Sequence, residues 1–198
     1  MTTTNITSTT STATRTPQAP PPDTAADAMA SLLTGDGHAR RIVRLIRRKS
    51  FCTLATVSPA GRPHSAGVVY VWADGALWAH TMSTSRKGRN IAANEHVGVT
   101  IPFRRLPAGP PYTIHFQATA TLVEMTDPTA RRLIDDGTLK LISGHGALDE
   151  LDGAFIRITP VGNIHSYGPG ARAIDIIRDP LHSGAGITTA EAIGEVER

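Results

Sequence analysis

Residues 112–125, YTIHFQATATLVEM, form a long alternating stretch: Ile114, Phe116, Ala118, Ala120 and Leu122 share one face, and His115, Gln117, Thr119 and Thr121 share the other. A period of two over that length requires an extended strand with one face on a core, because helical faces repeat every 3.6 residues. A long half-buried strand needs neighbours to pair with, and the sequence supplies them. FCTLATV (51–57), HSAGVVYVW (64–72), ALWAHT (76–81) and HVGVTIPF (96–103) are short runs rich in β-formers. The turn chemistry of SPAGRP and ADG separates the first three, and AFIRITPVGNIHSYG (154–168) supplies a last strand or two. A helix is expected after the third strand, at SRKGRNIAAN, and another after the fifth, where Asp127 precedes Pro128. This order predicts a mostly β (β+α) chain: a six-stranded antiparallel barrel with short flanking helices, in which closure removes the exposed sheet edges.

The chain of 198 residues is one ordinary domain by length. Residues 1–28 are Thr, Ser, Ala and Pro with no aromatic side chain, too little apolar surface to offset the entropy of ordering, and are expected to be a disordered tail. The barrel domain is then 29–168, with RRLPAGPP (104–111) as a loop, and the Gly-rich 169–198 is expected to be a partly ordered extension. The tail has neither the charged start nor the apolar run of a secretory signal, and no stretch approaches the roughly 20 apolar residues of a membrane span. Cys52 is the only cysteine, which removes disulfides and cysteine-based metal cages and suits a cytoplasmic location; a small buried hydrophobe on a strand is its expected role.

The net charge of +3 is mild for a nucleic-acid binder. In ARRIVRLIRRKS, arginines 40, 41, 44, 47 and 48 fall on one helical face and Ile42, Val43, Leu45 and Ile46 on the other, the pattern of an amphipathic helix packed on a sheet with a solvated outer side. Neither nucleic acid nor membrane is expected as a partner.

Several catalytic engines are missing from the sequence: there is no His-Glu-x-x-His, no paired cysteine, no Gly-x-Ser-x-Gly elbow and no Gly-rich phosphate loop ending in Lys-Ser/Thr. The eight histidines show no ligand spacing, so no metal site is expected. What remains is TMSTSRKGRN (81–90), where four hydroxyls and three cations meet at a helix start. Unpaired N–H groups and the helix dipole make such a terminus an anion seat, yet the dipole disfavours cations there. A phosphomonoester would compensate Arg86, Lys87 and Arg89, with Ser and Thr hydroxyls donating to its oxygens. Alternatively, Ser85 simply caps a solvent-exposed helix and the cations point to water.

The run LATVSPAGRPHSAGVVYVWADGALWAHT…SRKGRNIAANEHVGVTIPF resembles the flavin-binding split-barrel superfamily, the pyridoxamine 5′-phosphate oxidase-like proteins, over roughly residues 40–125. The resemblance implies an oxidoreductase that binds FMN or coenzyme F420 (a deazaflavin), FMN preferred, and acts on a small organic substrate by hydride transfer. It implies a homodimer with the cofactor at the subunit interface. Ser85, Arg86 and Lys87 would hold the cofactor phosphate, Thr81 would lie near the ribityl chain and Val68 near the isoalloxazine ring; Arg89 and Asn90 resemble the deazaflavin-binding members. No catalytic side chain follows. The alternative on the same fold is a non-catalytic protein that binds or senses FMN, haem or another tetrapyrrole. True oxidases of the family carry an arginine where this chain has Ala66, and an Arg-x-His pair near the C-terminus; here Arg62-Pro63-His64 is the only such pair and sits on another element. The vitamin substrate is therefore not expected. His80 is a possible proton donor but is expected to be packed, and Trp72, Trp78 and Phe103 are expected in core or interface.

Overall fold

The computed structural model describes residues 36–104, 112–144, 146–167 and 184–188. The expected tail at 1–28, most of the 104–111 loop and most of the 169–198 extension lie outside the described residues. The elements run α1 (Asp36–Arg48), β1 (Phe51–Val57), β2 (Pro63–Ala73), β3 (Ala76–Met82), α2 (Arg86–Ala93), β4 (His96–Phe103), β5 (Tyr112–Glu124), α3 (Pro128–Asp135), α4 (Lys140–Ser143), β6 (Gly153–Tyr167) and β7 (Gly184–Thr188).

All pairings are antiparallel. The order is β3-β2-β1-β4-β5-β6-β7, and a further β3–β6 pairing closes the first six strands into the barrel predicted from sequence. β6 serves both ends: its first half pairs with β3, from Met82 opposite Gly153 to Leu77 opposite Ile158, and its last residues pair with β7. Between these halves the β5–β6 register shifts at Phe116/Gln117, where Gly162 takes a left-handed φ of 68° and the bulge re-aims the strand. The tight ADG turn also needs the left-handed region, at Asp74 and Gly75.

Alternation delivers the core. Along β5, Ile114, Phe116, Ala118 and Ala120 are buried, and they meet Leu54, Tyr70, Leu77, Val99, Ile101 and Ile156 inside the barrel. α1 adds Ile42, Val43 and Ile46 to this core while its arginines stay exposed, so the amphipathic pattern is realised as a helix packed on the sheet. Two polar contacts anchor it: Tyr70 Oη donates to the Ile46 carbonyl at 2.8 Å, and His38 Nε2 lies 3.4 Å from Ser166 Oγ. α3 begins as the sequence predicts, with Asp127 Oδ1 accepting from the N–H groups of Thr129 (2.8 Å) and Ala130 (3.1 Å). A second, smaller core lies outside the barrel, where α3 and α4 cover Trp78 and Phe155 with Leu133, Leu139 and Ile142. Trp78 and Phe103 are core residues as expected; Cys52 is fully buried on β1 and burial pushes its thiol up to about 12. No helix among the described residues is long and apolar enough to cross a membrane.

Burial, reinforced by the nearby Arg41 charge, holds the His38 imidazole below its ordinary range, and burial does the same to His80. Folding therefore favours the neutral rings: their stabilisation is present above the ordinary imidazole range and is lost as pH falls through it. The melting temperature is expected to drop between about pH 7.5 and about pH 5, and His38→Gln to flatten that dependence in pH-resolved thermal melts.

Candidate functional site

β3 ends at Met82, and three residues later Ser85 caps α2. Ser85 holds an extended φ/ψ of −65°/162°, its Oγ accepts from the Gly88 N–H at 3.1 Å and its carbonyl accepts from Arg89 N–H at 2.9 Å. Thr81 Oγ1 lies 3.0 Å from the same Ser85 Oγ and also donates to the Met82 carbonyl at 3.3 Å. The Thr81 and Ser85 hydroxyls thus build the cap and shape the turn. Gly88 is required here, since a Cβ would lie 2.4 Å from the Ser83 carbonyl and 2.7 Å from that of Met82.

The turn is tied down from outside as well. Ser83 N–H donates to the Asp152 carbonyl at 2.8 Å, Thr84 Oγ1 donates to the Asp152 carboxylate, and Arg89 Nη1 donates to the Thr84 carbonyl. At the far side Asn90, buried, donates through Nδ2 to Thr56 Oγ1 at 3.0 Å, and Thr56 Oγ1 passes a long 3.4 Å bond to the His64 carbonyl. α2 is thereby locked to β1 and β2.

That lock forms a cleft of about 470 Å³ between α2 and the β1–β2 turn. Arg86, Arg89 and Asn90 line it from the helix; Ser58 and Arg62 line it from the turn, and His64 from the start of β2. The turn is rigid where it matters: Ser58 N–H donates to the Arg62 carbonyl at 2.9 Å and its Oγ accepts from Arg62 N–H at 3.1 Å, with Gly61 at a left-handed φ of 72°. Three guanidinium groups and an imidazole face the cleft, and among the described residues no carboxylate lines it. With no acidic residue in the first turn of α2, the cations are not compensated by the helix itself. Such a donor set fits a phosphate dianion, to which arginine offers paired N–H groups.

The sequence expectations divide accordingly. Arg86, Arg89 and Asn90 share the cleft, Asn90 mainly as the residue that fixes the helix. Thr81 and Ser85 stand behind it in the cap. Lys87 is half-buried and lies outside the cleft lining, close enough to His80 for its charge to act on that ring. Val68 packs inside the barrel, so that only its backbone could meet a ligand. Arg62 and His64 were missed as partners of α2: the SPAGRP turn signals a hairpin, but only the hairpin's position against the helix reveals the convergence.

His80 is half-buried beside the cap, edge-to-face on Phe155 at 6.0 Å. Its Nε2 is buried without a hydrogen-bond partner among the described residues. Burial lowers its pKa most; a backbone bond from Ala147 and the Glu150 charge oppose this, and Lys87 adds to it. It is a packed ring, as expected.

Gly88→Ala should destabilise the protein by about 1–3 kcal/mol although alanine favours helices, because the methyl group meets backbone oxygens. Asn90→Ala should cost about 1–3 kcal/mol by removing the buried bond to Thr56. Chemical denaturation of each variant checks both.

The model of the pyridoxamine 5′-phosphate oxidase family matches residues 39–158. Among curated proteins none matches the sequence. Among solved structures, the haem storage protein HutZ of Vibrio cholerae superposes with a TM-score of 0.53 at 20% identity, over 65% of this chain and 89% of its own. A haem-binding protein of Mycobacterium smegmatis gives 0.61 at 16% identity, over 81% of this chain and 60% of its own. An FAD-binding protein of Mesorhizobium loti gives 0.51 at 20% identity, over 62% and 87%. Barrel closure, the capped helix after β3 and the match across most of the barrel agree: the chain belongs to the pyridoxamine 5′-phosphate oxidase-like family of split barrels.

Proposed function

We propose that this protein is a flavin- or deazaflavin-dependent oxidoreductase that acts on a small organic substrate, and that the cofactor's phosphate sits in the cleft between α2 and the β1–β2 turn. The observation that carries this reading is the convergence of Arg62, Arg86 and Arg89 on one cleft, with no acid among its described lining residues. When bound, the cofactor supplies the hydride chemistry of its ring; the chain supplies position. Arg86 and Arg89 hold the phosphate from the helix, Arg62 closes on it from the turn, and Asn90 with Thr56 keeps the two walls at fixed separation. The FAD-binding Mesorhizobium loti relative in fold is in keeping with this class.

We place self-association on the outer face of β1 and β2. Phe51 and Val69 are cross-strand partners there, 48% and 47% exposed, and the Phe51 ring lies across Gly67, where a Cβ would approach it to 2.8 Å. An apolar patch of this kind on a sheet face is suited to a second copy of the chain. Phe51→Lys should convert the dimer to monomer, as read by light scattering on a sizing column; a wild type that is already monomeric excludes the patch as a dimer surface.

A second reading, storage or sensing of haem without turnover, draws on the haem proteins among the structural neighbours. Titration separates the two. FMN or coenzyme F420 should raise the melting temperature, and Arg86→Ala should weaken binding by roughly 1.5–3 kcal/mol, about 10- to 150-fold. Lys87→Ala should matter less, because Lys87 does not line the cleft. Haem binding with a Soret band, and indifference to both flavins, would overturn the oxidoreductase reading.

A further inference from the structure

We infer that the outer face of the barrel carries a two-imidazole site for a borderline transition-metal ion, formed by His115 of β5 and His165 of β6. These residues are far apart in sequence and follow no ligand motif, yet the β5–β6 register makes them direct cross-strand partners. Their rings stack with centroids 5.6 Å apart and planes 20° from parallel. Both side chains are exposed and line a groove of about 520 Å³, together with the small residues Ala55 and Gly98.

The surroundings leave the pair free to close on an ion. The residue opposite His165 on β7 is Gly186, where even a Cβ would only touch the ring, 3.4 Å from His165 Nδ1, at ordinary contact distance. Among the described residues no charged side chain lines the groove. A neutral imidazole offers one lone-pair nitrogen, so the pair offers two. Metal–nitrogen bonds of about 2.0–2.1 Å require the two nitrogens to approach each other, which two exposed rings achieve by tilting their solvent-facing edges together. Among the described residues no third His, Cys, Asp or Glu joins them. The ion therefore keeps water, or the side-chain amide oxygens of Gln117 and Asn163 from the same groove, in its remaining positions.

This donor set selects the cation. Two nitrogens without a carboxylate suit copper(II), nickel(II) and zinc(II), in the usual order with copper tightest, and reject magnesium and calcium, which need oxygen ligands. The site is built within one chain and is independent of the cofactor cleft, so it can stand or fall without the proposed oxidoreductase reading.

Copper(II) titrated into the untagged full chain, followed by calorimetry and electron paramagnetic resonance, tests the site. One ion per chain is expected, with superhyperfine structure from two nitrogens. His115→Ala and His165→Ala should each weaken binding at least tenfold, while His96→Ala on neighbouring β4 leaves it unchanged. Undiminished binding by the double variant, or absence of binding by the wild type, overturns the proposal. Should the variants fail to fold, the wild-type spectrum decides: fewer than two coordinated nitrogens also overturns it.

Discussion

The pairing of β3 with the first half of β6 is the constraint on which the rest of the structure depends. It converts an open sheet into a barrel, and in doing so fixes where β3 must stop. Because Met82 is held opposite Gly153, the next residue, Ser83, meets the Asp152 carbonyl, and Thr84 meets the Asp152 carboxylate. The chain then has three residues in which to turn, and Ser85 starts α2 with Gly88 packed so closely on the preceding backbone that a Cβ would not fit. A long-range strand register thereby sets the direction of a helix of eight residues that is too short to be stable alone.

The electrostatic cost of the cleft is carried by this rigidity. Arg62, Arg86 and Arg89 repel one another and gain nothing from the helix dipole, so a floppy turn and helix would move apart to relieve the charge. Hydrogen bonds within the walls of the cleft and behind it oppose such relaxation. Asn90 holds the helix to Thr56, Asp152 holds the turn before it, and the Ser58–Arg62 hydrogen bonds hold the hairpin. A phosphate bound there, as proposed, would not have to order its own site, which is the condition under which charged contacts give affinity rather than being spent on ordering.

Features encoded within a few residues were legible in the sequence. The alternation of 112–125, the Ser85 and Asp127 caps and the arginine face of α1 all depend on local spacing, and all appear in the structure. Features created by contact between distant segments were not. Arg62 and His64 look like ordinary turn residues until the hairpin is set against α2. His115 and His165 are scattered histidines until the register places them side by side. Strand parity explains Val68: β2 alternates, and the inward-facing member of each pair is committed to the core. β7 was hidden because GAGIT carries almost no pattern of its own; it becomes a strand by pairing with β6, with Gly186 opposite His165.

The burial of Cys52 has a consequence of a different kind. As the only thiol in the sequence, shielded in the barrel wall and shifted up to about 12, it presents almost no thiolate to solvent at neutral pH. The folded protein is therefore expected to react slowly with maleimides and other thiol reagents. A cysteine introduced on the exposed surface, at Leu141 for example, would carry all of the label, and loss of that selectivity would report opening of the barrel itself.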